Sequence, residues 1–301
     1  MVDLNLNPPD GYFNEEVRRG YRVSPEMKRV WAVEIDLLKE FERVCDKFGL
    51  KYSLFGGSML GAVREKGFIP WDDDIDVVMD RKDYDVLISH GDEFKSPYFL
   101  QTPLTDEDYF IDVVKLRNTA TTGATWLDMY SRFNNGIFID IFVIDGVPRN
   151  PFRRMVKYLR YKFLGGLIYG IFYGMQGVQC FFKRRFRILV PTKRMYRRFD
   201  RICSKECDFK ALRAYVYYIQ QAGNTFPLDC MDDMVTMSFE YVDVKVCGCF
   251  DEFLRKQYGS DYMTPKCIPT MHGKTYFDTS IPFDEYFEAN FSRKARKKPH
   301  R

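Results

Sequence analysis

The feature that most constrains this chain is a glycine-rich turn followed by an acidic cluster, in the sequence FGGSMLGAVREKGFIPWDDDIDVVMD at residues 55–80. A short apolar stretch runs into the two glycines, and a helix-like segment begins at Ser58. Five aspartates then fall within nine residues, at positions 72, 73, 74, 76 and 80. Because polar and apolar residues alternate over 74–77, the second half of this cluster predicts a β-strand over 74–80.

Two aspartates of this strand, Asp74 and Asp76, would project from the same side, about 7 Å apart. Carboxylates placed in this way repel each other unless a positive charge lies between them. A solvated acidic turn accounts for Asp72 and Asp73, but not for carboxylates inside an apolar strand. Mg²⁺ binds a few carboxylates together with phosphate oxygens of a substrate. The alternation therefore favours a divalent-cation site over a merely solvated turn.

The turn at Gly56, Gly57 and Ser58 lies between a strand and the start of a helix. Glycines let the backbone approach a phosphate closely, and the first turn of a helix presents free N–H groups to it. Turns of this composition are common, so the turn alone is a weak signal. Followed by a strand of aspartates, it supplies a phosphate cradle next to carboxylates for a cation, which are the two requirements of phosphoryl transfer.

The rest of the chain predicts an α/β (α+β) fold. A helix is expected over residues 24–49, with Ser24 as its cap, Pro25 at its first position and Gly49 at its end. Further strands are expected at YFLQT, IDVVKLRNT and GIFIDIFVID, so helices and strands mix through residue 146. Residues 192–222 are expected to be helical, and residues 234–246 to form strand and loop.

The string GGSMLGAVREKGFIPWDDDIDVVM resembles the LicD family of phosphocholine transferases, a branch of the nucleotidyltransferase superfamily to which fukutin and fukutin-related protein are also similar. VVKLRNTATT, NGIFIDIFVIDGVP and YGSDYMTP resemble further motifs of that family. The resemblance implies a nucleotidyltransferase-type fold, with a mixed central sheet flanked by helices. The expected organisation is an N-terminal extension (1–23), a catalytic core (24–148), a basic, aromatic helical insertion (149–233), a C-terminal, helical part of the LicD-like domain (234–290) and a basic tail (291–301).

The resemblance also implies residue roles. The expected metal ligands and catalytic carboxylates are Asp74, Asp76 and Asp140, with Asp145 as the alternative third carboxylate. The expected phosphate-binding residues are Gly57, Ser58, Arg64, Lys115 and Arg117. An ordinary salt bridge is the alternative for Arg64, and a solvated strand face is the alternative for Lys115 and Arg117. Glu240 and His272 are weaker candidates.

The function implied is a phosphotransferase that requires Mg²⁺ or Mn²⁺. It would move a phospho-alcohol, with phosphocholine as the first candidate, from a CDP-alcohol such as CDP-choline to a hydroxyl of a cell-surface glycan or its lipid-linked precursor. Two alternatives stay open: a glycosyltransferase that holds a nucleotide sugar through an Asp-x-Asp motif, and a non-catalytic glycan-binding protein of the same fold. Nucleic acid is not an expected partner.

Residues 151–200 are basic and aromatic, although the whole chain carries a net charge of only +4. Within them, residues 163–182 contain no charged side chain. This stretch is interpreted as a buried helical pair, as an element resting on an anionic membrane face, or as a membrane span. The N-terminus resembles no signal peptide and the eight cysteines are irregularly spaced. A cytoplasmic protein with reduced cysteines is therefore expected, in contact with the inner face of the cytoplasmic membrane through 151–200.

Overall fold

The computed structural model describes residues 2–148, 150–185, 193–204, 212–215, 225–226, 229, 231–266 and 275–291. The helices are α1 (Pro25–Phe48), α2 (Gly56–Arg64), α3 (Arg81–Ser89), α4 (Pro151–Phe182), α5 (Lys193–Ser204), α6 (Phe250–Tyr258) and α7 (Phe283–Phe291). The strands are β1 (Glu16–Arg18), β2 (Tyr21–Val23), β3 (Tyr52–Leu54), β4 (Asp76–Asp80), β5 (Tyr98–Gln101), β6 (Val114–Asn118), β7 (Thr122–Thr125), β8 (Ile137–Val147), β9 (Leu212–Tyr215), β10 (Thr225–Phe226), β11 (Met234–Phe239), β12 (Val242–Cys247) and β13 (Thr275–Asp278).

Helix α1 forms as its sequence predicts. The Ser24 hydroxyl accepts a hydrogen bond from the Met27 N–H at 3.2 Å, and Pro25 occupies the first turn. Gly49 ends the helix in the left-handed conformation, with φ of 64°. The apolar face of α1 is buried against β6 and β8, and the main hydrophobic core lies there.

The central sheet is mixed, as predicted, and β8 is its middle strand. Strand β4 runs parallel to β8 on one side, and β3 continues the sheet antiparallel to β4. On the other side, the first half of β8 pairs with β6 and its second half pairs with β9, both antiparallel. Strands β5 and β10 extend these two branches. Helices flank the sheet, so the structure has the predicted α+β architecture.

Three local predictions are corrected by the structure. Strand β4 begins at Asp76, so Asp74 lies in the preceding loop and not in the strand. Helix α2 begins at Gly56, two residues before the predicted start at Ser58. Residues 212–215, within a stretch predicted to be helical, form strand β9 because pairing with the second half of β8 outweighs local helix propensity.

Helix α4 is a single continuous helix of 32 residues, and not the helical pair that the sequence suggested. One face packs with α5 and with the segment 109–133, through Tyr161, Ile168 and Phe172. The opposite face is exposed along the helix. Within the described residues no helix, α4 included, combines the length and hydropathy needed for a membrane span, so that interpretation of α4 is wrong.

Candidate active site

Three strands of the central sheet place Asp76, Asp140 and Lys115 in one row. Asp76 of β4 lies beside Asp140 of β8, and Asp140 lies beside Lys115 of β6. Side chains directly opposite each other on neighbouring strands project from the same face, with Cβ atoms about 5 Å apart. The Lys115 ammonium forms an ion pair with the Asp140 carboxylate. Two distant carboxylates therefore meet on one face of the sheet, as the family resemblance implied.

The alternative third carboxylate, Asp145, has a different environment. It is five residues from Asp140 on the same strand, so its side chain projects from the opposite face. It is fully buried, and both of its oxygens accept hydrogen bonds from Arg81, at 2.5 and 2.7 Å. This bidentate ion pair fixes α3 to β8. Asp140 is accordingly the carboxylate that faces Asp76.

The loop before β4 adds further carboxylates at the edge of this row. Carboxylate oxygens of Asp72, Asp73 and Asp74 lie within 4.8 Å of one another. Among the described residues, these three form a group of side chains close enough to bind one metal ion. The Trp31 indole N–H donates to the Asp72 carbonyl at 3.1 Å, which anchors the loop to α1. Asp74 thus reaches the site from a loop held by α1.

The Gly-Gly-Ser turn is built around β4. The Phe55 N–H donates to the Asp76 carbonyl at 2.9 Å, and the Ser58 hydroxyl accepts from the Asp76 N–H at 2.8 Å. Ser58 is buried and its hydroxyl also donates to the Asp74 carbonyl at 3.5 Å. Ser58 therefore holds the start of β4 in place, and its contact with phosphate stays a prediction.

The two glycines of this turn are required by the nearby carboxylates. Gly56 has φ of +55°, and a Cβ atom there would lie 2.9 Å from the Asp76 carboxylate. A Cβ atom on Gly57 would lie 2.3 Å from the Asp72 carboxylate. Any larger residue at position 57 would displace Asp72 or the turn.

Burial and neighbouring charged groups shift the pKa of the Asp76 carboxyl. Burial raises the pKa of the Asp76 carboxyl well above its ordinary value, the carboxylates of Asp74, Asp140 and Asp72 raise it further, and the Lys115 ammonium lowers it. The folded protein therefore favours the neutral form of the Asp76 carboxyl.

Glu34 of α1 is a residue of the site that the sequence analysis missed. It is buried, and burial together with the nearby aspartates, Asp74 foremost, raises the pKa of its carboxyl well above the ordinary value. Its Oε2 atom has no hydrogen-bond partner among the described residues. The signal was present in the sequence, because Glu34 interrupts the apolar face of α1 between Val33 and Leu37.

Helix α6 borders the same group of carboxylates. A Cβ atom on Gly56 would lie 3.8 Å from the Gln257 amide nitrogen. Burial raises the pKa of the Tyr258 hydroxyl, and Asp76, Asp72 and Asp74 raise it further. The C-terminal end of α6, where the YGSDYMTP motif begins, therefore lies at the site.

The described donors fit a divalent cation of the Mg²⁺ or Mn²⁺ type. All of them are carboxylate oxygens, which these hard cations prefer. The raised pKa of Asp76, to which the neighbouring carboxylates contribute, and the unpartnered oxygen of Glu34 are features that a bound cation would relieve. Asp74, Asp76 and Asp140 are the residues that would hold it.

The three predicted phosphate-binding cations differ in placement. Lys115 and Arg117 share one strand face, as predicted, with both side chains over the Phe138 ring. Arg117 is 2% exposed and donates hydrogen bonds to the Gln101 side chain and to the Gly136 carbonyl. These hydrogen bonds link β6 to β5 and to the residue before β8.

Arg64, the third of these cations, pairs with Glu65 and donates to the Tyr262 carbonyl at 2.9 Å. This is the salt-bridge alternative, in a buried setting. Contact of either arginine with phosphate stays a prediction.

The remaining candidates lie elsewhere. Glu240 is buried in an ion pair with Arg18 and accepts from the Phe68 N–H at 3.0 Å, which makes it a structural brace. His272 lies outside the described residues. The described cysteines, at positions 45, 180, 203, 247 and 249, are free thiols.

The segment that contains this site is similar to known proteins. Residues 49–160 match the family described as LicD/FKTN/FKRP, nucleotidyltransferase domain. The chain is 34% identical over 139 residues to the lipopolysaccharide cholinephosphotransferase LicD of Haemophilus influenzae, a match that covers 42% of this chain and 49% of that protein. It is 28% identical over 163 residues to the uncharacterized protein RP689 of Rickettsia prowazekii, covering 52% of this chain and 55% of that protein.

The chain thus spans about half the length of the curated relatives it matches. The matched segment includes the Gly-Gly-Ser turn, the aspartate loop and the row formed by Asp76, Asp140 and Lys115. Residues 49–160 are therefore similar to the nucleotidyltransferase domain of the LicD family.

Proposed function

We propose that this protein is a divalent-cation-dependent phosphotransferase. It moves a phospho-alcohol, with phosphocholine as the first candidate, from a CDP-activated donor to a hydroxyl of a cell-surface glycan or its lipid-linked precursor. The support from relatives is the similarity to a lipopolysaccharide cholinephosphotransferase. The observation that carries the proposal is the row of Asp76, Asp140 and Lys115, which joins two carboxylates and a cation on one sheet face.

The chain's own residues have separate tasks in this reaction. Asp74, Asp76 and Asp140 would hold Mg²⁺ or Mn²⁺, which when bound neutralises the charge of the donor diphosphate. The Gly-Gly-Ser turn fixes the backbone at the start of β4, and so fixes the Asp76 carboxylate. Lys115 lies where it can offset charge that develops on the transferred phosphoryl group.

The chemical step is a substitution at phosphorus. The acceptor hydroxyl oxygen forms a bond to the phosphorus that bears the small alcohol, and the bond from that phosphorus to the bridging oxygen breaks. CMP leaves with the electron pair of that bond. The hydroxyl proton passes to the Asp140 carboxylate, which acts as general base. Asp145 cannot serve this step because its two oxygens are bound by Arg81 on the other face.

The test is the release of CMP from a panel of CDP-choline, CDP-ribitol and CDP-glycerol, with and without Mg²⁺ or Mn²⁺. We expect at least one donor to be consumed only with the cation, and Asp76→Asn to lower the rate by at least about a hundredfold. The matched control is Asp243→Asn, which makes the same change at an exposed position of β12 and should keep full activity.

Two other outcomes would overturn the proposal. Turnover of UDP- or GDP-sugars instead of CDP-alcohols would identify a glycosyltransferase. If the Asp76→Asn variant kept the full effect of the wild-type protein in the cell, the protein would be a non-catalytic, glycan-binding protein.

A further inference from the structure

We propose that the exposed face of α4 docks on an anionic phospholipid bilayer and lies in the plane of its headgroups. This inference concerns a surface that includes none of the proposed catalytic residues, and it does not depend on the proposed reaction. We define the α4 outer face by its large exposed side chains Phe152, Met155, Leu159, Phe163, Leu167 and Tyr173.

The α4 outer face is a continuous apolar stripe. Its members are spaced by three, four or six residues, so they lie along one side of the helix. Phe163 is 78% exposed, and Phe181 extends the stripe to the last turn. A helix of this length extends about 48 Å. Soluble monomers rarely expose an apolar surface so long without a partner for it.

Glycines fill the gaps of the stripe. Gly166, Gly170 and Gly174 lie on the same side, and a Cβ atom on any of them would meet no atom within 4 Å. No packing within the described chain therefore requires a glycine at these positions. The face is smooth between its aromatic side chains, which suits contact with a fluid surface better than insertion into a shaped pocket.

Charge identifies the partner. Residues 151–199 contain thirteen Lys and Arg and no Asp or Glu, whereas the rest of the chain has 33 basic residues against 42 acidic ones. On α4 itself, Arg153 and Arg160 are exposed on one border of the stripe and Lys162 lies on the other. Cations that flank an apolar stripe can extend to lipid phosphates while the stripe contacts acyl chains. A second copy placed face to face would bring like charges together.

A neighbouring segment continues the surface. The Cys180 thiol of α4 contacts the Trp126 carbonyl at 3.3 Å, and the Trp126 side chain is 58% exposed. Tryptophan is favoured at the boundary between headgroups and acyl chains. The chain has three tryptophans, of which Trp31 is fully buried and Trp71 half-buried, so Trp126 supplies an intrinsic fluorescent probe.

The experiment is sedimentation of the full chain with vesicles of phosphatidylcholine, with or without phosphatidylglycerol. We expect binding to the anionic vesicles, weakened by added NaCl, and a blue shift of fluorescence that Trp126→Phe removes. Phe163→Gln should weaken binding about tenfold, because a largely exposed aromatic side chain no longer enters the bilayer. Arg160→Gln should weaken binding about fivefold.

Matched controls change the same residue types elsewhere. Val17→Gln replaces an apolar side chain that is 69% exposed on β1, and Lys82→Gln removes an exposed cation of α3. Neither should alter vesicle binding. Because Phe163 packs against so little, its variant should keep the wild-type circular dichroism and thermal midpoint.

Three results would overturn the inference. One is absence of binding to anionic vesicles. Another is equal loss of binding in Phe163→Gln and Val17→Gln. The third is a stable dimer in light scattering that Phe163→Gln dissociates, which would assign the face to a second copy of the chain. The assay contains no nucleotide, so failure here leaves the proposed reaction untouched, and failure of the reaction leaves this test intact.

Discussion

Replacing Lys115 with methionine removes the cation from the row of charged side chains that crosses β4, β8 and β6. Lys115 is 8% exposed and paired with Asp140, while methionine keeps much of the volume of the lysine stem. Removing one partner of a buried ion pair typically destabilises a protein by about 3–5 kcal/mol. Here the remaining Asp140 side chain is 15% exposed, so water retains part of its solvation and the loss should be smaller.

A second limit comes from protonation. An aspartate of ordinary pKa costs about 4 kcal/mol to protonate at pH 7, and no stranded carboxylate can cost more than that. We therefore expect Lys115→Met to lower the free energy of unfolding by about 2–4 kcal/mol at pH 7.

The assay is urea unfolding of wild type, Lys115→Met, Asp140→Asn and the double variant, monitored by circular dichroism. The double variant should be more stable than the sum of the single losses predicts, by at least about 1.5 kcal/mol. Arg255→Met is the matched control, because Arg255 pairs with Asp251 at the surface and should leave the urea midpoint unchanged. Additive single losses, or a Lys115→Met loss equal to that of the control, would refute the coupling across the row.

Three further predictions use the same structure. Asp76→Asn should raise the thermal midpoint of the metal-free protein by a few degrees at neutral pH and not at pH 3. The raised pKa of Asp76 means that folding favours its neutral form, so wild-type stability falls as pH rises. Added Mg²⁺ should stabilise the wild type but not this variant. Gly57→Ala should lower CMP release about tenfold by displacing Asp72, whereas Gly166→Ala, in open space on α4, should stabilise the fold by about 0.5–1 kcal/mol. Asp112 is buried with its pKa raised to about 7, so the free energy of unfolding should fall by up to about 4 kcal/mol between about pH 4 and pH 7. Asp112→Asn should remove this pH dependence in parallel urea titrations. The same pH profile in the variant as in the wild type would contradict this prediction.

The sequence predicted those features that depend on local chemistry. Ser24, Pro25 and Gly49 defined the ends of α1 because capping is decided within a few residues. The apolar stretch GIFIDIFVID predicted β8, because a strand covered on both faces is apolar along most of its length. The family resemblance implied Asp140 as the third carboxylate, with Asp145 as the alternative. In the structure the two side chains lie on opposite faces and Asp140 adjoins Asp76, while the catalytic role of Asp140 stays a prediction.

Features that depend on contacts between distant segments could not be predicted from the sequence alone. Asp74 was expected in the strand, but the loop that Trp31 anchors extends as far as Asp74, so β4 begins later. The hydrogen bonds of Arg117 to Gly136 and Gln101, which lie in other parts of the chain, were not predicted, and its contact with phosphate stays a prediction. Such contacts are fixed by tertiary packing, and the sequence pattern of β6 itself does not reveal them.

Helix α4 shows the same limit in another form. Its five glycines and lack of charge over residues 163–182 suggested two short buried helices or a span. The structure keeps one helix, because the face with Tyr161, Ile168 and Phe172 is buried along it while the glycines lie mainly on the exposed side. The period of the buried residues could have indicated this, but the composition of the stretch obscured it.

The most direct test of the central claim is a crystal structure with Mn²⁺ and CDP-choline, with the cation located by its anomalous scattering. The account predicts a Mn²⁺ peak at metal–oxygen bonding distance from the carboxylates of Asp76 and Asp140, with the diphosphate on the same cation. A peak bound only by Asp72 and Asp73, or a diphosphate bound away from Asp76 and Asp140, would contradict it.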